Sequence, residues 1–169
     1  MEIRLINENE YGEVSKMIAR SLENSAFAVF YPQCSVEYMK EILNAEGVEQ
    51  RAKNSHFYVL LEEGSIVGCG AIAPYDGSCD ESQLCNIFVD AGKQGKGFGK
   101  KIIETLEKDE YFLRAKRIEI SASVSAIPFY RKLGYEHKNH DLIYNDGQFL
   151  LEKFNNWLII FEMYYNVNI

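Results

Sequence analysis

The stretch NIFVDAGKQGKGFGKKIIETL, residues 86–106, constrains this chain more than any other. A strand-like apolar run passes through a turn holding four glycines and four lysines, Gly92 to Lys101. It then enters a helix with Phe98, Ile102, Ile103 and Leu106 on one face. A further strand pattern, AKRIEISAS, follows. A glycine turn at a helix N-terminus presents unpaired backbone N–H groups at the positive end of the helix dipole. Glycine also lets a ligand approach the backbone closely. The combination predicts an anion site, usually for phosphate, with Lys93, Lys96, Lys100 and Lys101 adding charge. A surface turn that only caps a helix remains the plainer alternative.

Two better-known phosphate loops do not fit. A P-loop needs Gly-Lys followed by Ser or Thr, whereas Gly99 is followed by Lys100 and Lys101. A dinucleotide fingerprint needs a third glycine where Lys100 stands, and an acidic residue at the end of the next strand, which instead closes on SAS.

The remaining patterns mix helices with hairpins. Residues 2–6 alternate as a half-buried strand, and Asn9 can cap a helix presenting Tyr11, Val14, Ile18 and Leu22. Residues 24–34 are aromatic and irregular, and Ser35 can cap a second helix reaching Ala52. HFYVLLEEGSIVGCGAIAPYDG predicts a hairpin over residues 57–61 and 66–73, with Gly68 and Gly70 marking a bulge or a close backbone approach. After the crossover, AIPFYRKLG predicts a short helix ended by Gly134, and residues 135–154 a last hairpin with NDG as its turn. The order β-α-α-β-β-β-α-β-α-β-β predicts an α+β domain: one mixed, mostly antiparallel sheet flanked by helices. At 169 residues the chain suits one domain, since domains usually run to about 100–200 residues.

A net charge of −7 argues against a general nucleic-acid binder. No apolar run is long enough to span a membrane, and MEIRLINENEYGEVSK has no signal-peptide pattern, so the expected location is the cytoplasm. Cys34, Cys69, Cys79 and Cys85 form no C-x-x-C pair and have no histidine at ligand-like spacing, so no metal site is expected and the thiols are read as reduced.

Read with both flanks, the turn becomes specific. Ile87, Phe88 and Val89, a four-residue connection, then Gln94, Gly97 and Gly99 before an apolar helix resemble motif A of the GNAT superfamily of acetyl-coenzyme A-dependent N-acetyltransferases. Further on, ASVSAIPFYRKLGY resembles that superfamily's motif B, with Ala126, Phe129, Tyr130, Gly134 and Tyr135 in register. The resemblance covers residues 1–154 and implies a GNAT-like (acyl-CoA N-acyltransferase) fold.

The resemblance implies acetyl-coenzyme A as co-substrate. Its pyrophosphate would lie on the backbone of Gln94, Gly95, Lys96, Gly97, Phe98, Gly99 and Lys100. Its pantetheine arm would lie along Ile87, Phe88 and Val89, with an N–H near Phe88 or Val89 aimed at the thioester oxygen. Tyr130 matches the tyrosine that protonates the departing thiolate; otherwise it is a core aromatic beside Phe129. Many members carry Asn where Ser123 stands, a shorter donor to the same arm. Glu81, with Asp80 beside it, is the fourth-strand candidate for general base; His56 and His137 are weaker ones, and a covalent step on Cys85 is not expected.

The acceptor would be a primary amine of a small molecule or protein, with Phe27, Phe30, Tyr31 and Tyr144 as candidate wall aromatics or else core residues. A coenzyme A-binding module without catalysis is the alternative. Residues 155–169, NNWLIIFEMYYNVNI, lie outside the resemblance, and their apolar content predicts burial in the fold or in a homodimer contact.

Overall fold

Alternating patterns over the hairpins and one crossover leave a single sheet with two faces to cover. The computed structural model describes residues 1–24, 26–145 and 147–155. β1 (Glu2–Leu5) leads into α1 (Tyr11–Asn24), α2 (Ala26–Phe30), α3 (Gln33–Ile42) and α4 (Ala45–Lys53). The hairpin β2 (His56–Glu62) and β3 (Ser65–Pro74) follows, then β4 (Glu81–Val89), α5 (Phe98–Leu106), α6 (Glu110–Leu113) and β5 (Arg117–Ala122). α7 (Ile127–Lys132), β6 (Glu136–His137), β7 (Tyr144–Asn145) and β8 (Gln148–Phe154) complete it. The sheet order is β1-β2-β3-β4-β5-β8-β6, with β7 on β8. Among the described residues only β4 and β5 pair in parallel, as their helical crossover requires. The mixed, mostly antiparallel α+β sheet is the expected one.

Several boundaries differ. The first helix is not capped by Asn9: the Asn7 N–H donates to the Glu10 carboxylate at 2.8 Å, and a 3-10 turn over Glu8–Glu10 runs into α1. The single helix expected from Ser35 is two. Pro32, extended, precedes α3, and the Asn44 side chain accepts from the Gly47 N–H at 2.8 Å to start α4. The aromatic stretch before them contains α2. The last hairpin is divided, because Asn139 and His140 adopt positive φ between β6 and β7. The β2–β3 turn is as expected: Glu63 (φ 52°) and Gly64 (φ 79°) both lie in the left-handed region a tight hairpin needs. Among the described residues no helix is long and apolar enough to cross a membrane. In the C-terminal extension only Asn155 is described. It is buried, its N–H donates to the Lys116 carbonyl at 2.9 Å and its Nδ2 to the carbonyls of Phe112 and Ala115. Residues 156–169 lie outside the described ones.

Each face carries its own core. Val14, Met17 and Ile18 of α1, with Val36 and Val48, pack on Phe57, Val59, Cys69 and Ala71. Ile102, Ile103 and Leu106 of α5 pack on Leu60, Ile72, Leu84, Ile118 and Ile120 of the other face. Gly70 permits that second contact: a Cβ there would stand 2.4 Å from Ile102 Cγ2 and 3.2 Å from Leu106 Cδ1. Both sequence readings of the glycine pair apply, because the β3–β4 register also shifts between Cys69 and Ala71. Gly70→Ala should therefore overpack the β3–α5 seam. The expected cost is about 1–3 kcal/mol, read as a lower urea midpoint at unchanged slope. A midpoint equal to that of wild type would mean the seam has room the geometry denies.

Candidate active site

β4 and β5 begin side by side and then part. Their register runs from Glu81 with Arg117 to Leu84 with Ile120 and stops there, while β4 continues to Val89. The divergence starts at a bulge. Cys69 pairs with Phe88 but Ala71 with Cys85, so Asn86 and Ile87 together face Gly70, and Asn86 takes φ 54°. Past Leu84 the β5-facing edge of β4 is open, and two adjoining cavities fill the gap. Ile87, Phe88, Ser123, Ala126 and Tyr130 belong to the walls of both.

The first cavity, about 450 Å³, runs from Tyr130 to the glycine turn. Ile87, Phe88, Val89, Gln94, Gly95, Gly97, Phe98, Gly99 and Ser123 all line it; Lys96 and Lys100 do not, and Lys100 Nζ lies 3.7 Å from Glu104. Gly97 is the residue before α5, at φ 85°, and Gly95 has φ 77°. A Cβ added to either would meet nothing within 4 Å, so the turn offers bare backbone to open space. The first N–H groups of α5 have no partner within their helix. Gly99 sits tight against the far wall, its notional Cβ 3.3 Å from Phe129 Cζ. Lys93 also lines the cavity but is already paired with Glu62, so it contributes less free charge than its sequence position implies. The Val89 carbonyl is taken by Ser21 Oγ at 2.9 Å and Gln94 Nε2 at 3.2 Å. This bare cradle at a helix N-terminus, continued by an open strand edge, fits a pyrophosphate followed by an extended amide chain.

Tyr130 is 5% exposed, edge-on to Phe129 and Tyr135 at 5.0 and 6.0 Å. Burial alone pushes its phenol well above the ordinary tyrosine value, so it stays protonated at neutral pH. Among the described residues its hydroxyl has no hydrogen-bond partner.

The second cavity, about 370 Å³, lies on the other side of Tyr130, beneath α1 to α4. Its floor is polar for a reason of register. Gln83 pairs with Glu119, and Glu119 with Glu152, so the three side chains share a face, and Gln83 and Glu119 line the cavity. Glu119 is 6% exposed; its Oε2 accepts from Arg117 Nη1 at 2.7 Å and from Lys138 Nζ at 2.6 Å. Cys85 also lines the cavity, and burial pushes its thiol up to about 11, which leaves it a protonated and weak nucleophile.

The structure separates Glu81 from this cleft. It stands where β4 and β5 are still paired, lines neither cavity and accepts from Arg117 Nη2 at 2.7 Å. That hydrogen bond holds its carboxyl below the usual range, which suits a structural ion pair and opposes proton uptake. Asp80 is bound to Ser78 and Lys116 at the same remote end. His56 bonds Asp109 at 2.8 Å and stacks on Tyr111, and His137 stands edge-on to Phe149; neither lines a cavity. Of the four expected wall aromatics only Phe27 lines the cavities. Tyr31 stacks behind it at 4.1 Å and accepts from the Val124 N–H at 3.2 Å, while Phe30 and Tyr144 are largely exposed. Glu119, Gln83 and Arg51 are among the cavity residues that motif reading passed over.

Comparison with known proteins agrees with this geometry. The sequence profile of the acetyltransferase (GNAT) domain matches residues 18–150. The uncharacterized N-acetyltransferase YjgM of Escherichia coli K12 is 35% identical over 95 residues, 52% of this chain and 55% of that protein, so the match spans little more than half of its length. The spermine/spermidine N(1)-acetyltransferase of Bacillus subtilis 168 is 31% identical over 114 residues, 60% of this chain and 74% of that one. Among solved structures, the PaiA N-acetyltransferase of Thermoplasma acidophilum in complex with coenzyme A superposes with a TM-score of 0.78, covering 90% of this chain and 98% of that one at 15% identity. An N-acetyltransferase-family protein from Rhodopseudomonas palustris gives 0.73 at 19% identity, over 90% of this chain and 94% of that one. At such identities the structural likeness speaks for the fold.

Proposed function

The chain belongs to the GNAT acetyltransferase family, and we propose that it transfers an acetyl group from acetyl-coenzyme A directly to a primary amine. The observation that carries this reading is the parting of β4 from β5, which opens two cavities onto one buried, protonated tyrosine. Amine acceptors are also named for the Bacillus subtilis relative, a spermine/spermidine N(1)-acetyltransferase.

Acetyl-coenzyme A, when bound, supplies an acyl group already activated as a thioester. The chain supplies binding, orientation and protons. The bare backbone of Gly95, Gly97, Phe98 and Gly99 would hold the pyrophosphate at the α5 N-terminus, and the open edge at Ile87, Phe88 and Val89 would hold the extended arm, with Ser123 on the same wall as a short donor. Phe88 pairs with Cys69, which turns its N–H into the β3 ladder, so the Val89 N–H on the open edge is the one that would polarise the acyl oxygen. The acceptor amine enters from the second cavity and must be neutral when it attacks. Among the described residues Glu119 is the carboxylate that lines that cavity, and, paired through Oε2 with Arg117 and Lys138, it takes the place first expected of Glu81 as the group that attracts the amine rather than as a base. Tyr130 keeps a proton on Oη at the shared wall, where a departing sulfur needs one. Burial of Cys85 as a neutral thiol favours direct transfer in a ternary complex over an acyl-cysteine relay.

The test is turnover. Purified protein with acetyl-coenzyme A and a panel of amines should release free thiol only when a suitable amine is present. Tight coenzyme A binding with no thiol release on any amine would overturn the enzyme and leave a coenzyme A-binding module.

A further inference from the structure

The second cavity carries opposite charges on its two sides. On the helical side Arg51 of α4 forms part of the wall. Its Nη1 donates to the Ile42 carbonyl at 2.9 Å and the Gly47 carbonyl at 3.0 Å, which ties the guanidinium to the α3–α4 junction. Its Nε and Nη2 have no hydrogen-bond partner among the described residues. The charge is felt inside the cavity, where it opposes the upward push of burial on the Cys85 thiol. On the sheet side Glu119 spends Oε2 on Arg117 and Lys138, while Oε1 accepts no such bond among the described residues. Around it two cations, Arg117 and Lys138, stand against two carboxylates, Glu119 and Glu152, and Arg117 is shared further with Glu81 at the remote end of the strands.

We propose that the acceptor is a small amino acid, bearing a carboxylate besides the amine that is acetylated, and that Arg51 binds this carboxylate. A guanidinium with two adjacent free donors matches a carboxylate in a bidentate fork, a geometry an ammonium cannot exploit. A polyamine would set a second ammonium against Arg51, a like-charge contact that disfavours it. The unengaged Oε1 of Glu119 receives the ammonium end, and a cavity of about 370 Å³ accommodates a molecule of this size. The proposal rests on the acyl-transfer reading and narrows it to one acceptor class.

Free amino acids of each side-chain class, their carboxamides and spermidine are compared in two ways. Binding is read by thermal shift on the protein without coenzyme A, and transfer by kcat/KM from thiol release. At least one free acid should surpass its own carboxamide by about tenfold or more in both readings. Arg51→Gln should bring that ratio close to one, chiefly through KM, and Arg51→Lys should keep part of it. Because Arg51 also ties α3 to α4, the glutamine variant can lose stability, but such a loss lowers acid and amide together and leaves their ratio intact. Carboxamides or spermidine equalling the acids in wild type, or a ratio that survives Arg51→Gln, would overturn the proposal. Thiol release on spermidine alone sinks it and leaves acyl transfer standing. Arg51-dependent binding of acids without thiol release on any acceptor supports the carboxylate site and refutes acyl transfer instead.

Discussion

Tyr130→Phe should slow acetyl transfer by about 10²–10⁴-fold in kcat while coenzyme A affinity stays near wild type. The substitution removes one oxygen and leaves the ring edge-on to Phe129 and Tyr135. Among the described residues that oxygen bonds to nothing, so the variant loses no hydrogen bond and its melting temperature should hold or rise. Any loss of rate is then chemical. The raised phenol pKa fixes the sign of the pH dependence: burial keeps the proton on Tyr130 through the neutral and mildly alkaline range, so the wild-type rate should not fall there by titration of this group. A group of this kind donates well and is a poor base at neutral pH, so proton removal from the amine would not fall to Tyr130. Thiol release by Tyr130→Phe at the wild-type rate, on a genuine acceptor, would show that the tyrosine only fills space.

What the sequence made legible is what the chain does locally. The glycine turn, the Glu63-Gly64 hairpin turn and the Gly134 stop are each set by the residues in them, through positive φ, and each lies where the pattern put it. The paired motifs around the turn and Tyr130 likewise name one wall of the cleft. The acceptor side depends on which part of a sheet face the helices leave bare, and that is a property of packing between distant segments. Alternation assigns Glu81, Gln83 and Cys85 to one face of β4 but cannot say that only the last two reach a cavity. One signal was available for Glu119: a charge between Ile118 and Ile120 means that one face of β5 meets no apolar core. Arg51 gave no signal, because a helical arginine four residues after Gly47 reads as solvated until α3 is folded back over it. The split of the second helix at Leu43 and Asn44 creates that position.

Gly97→Val should abolish useful coenzyme A binding, with a loss of about a hundredfold or more. Gly97 stands before α5 at φ 85°, a region that a β-branched residue enters only under strain, at a cost of about 1–3 kcal/mol. Two responses are open to the chain. If the turn keeps its shape, an isopropyl group projects into the space that a Cβ at this position finds empty, on the wall of the first cavity. If the turn relaxes to negative φ, the peptide groups around Gly97 rotate and the backbone entering α5 loses its present shape. Either response removes charge-assisted hydrogen bonds of about 1.5–3 kcal/mol each, and losing two accounts for the expected factor. The same substitution at Gly77 separates strain from function. Gly77 has φ 74° and equally open surroundings but lines neither cavity. Gly77→Val should therefore share the fall in melting temperature and keep coenzyme A affinity, measured by calorimetric titration. Equal losses of affinity in both variants would make the effect one of general stability, and wild-type affinity in Gly97→Val would mean that the anion is held elsewhere.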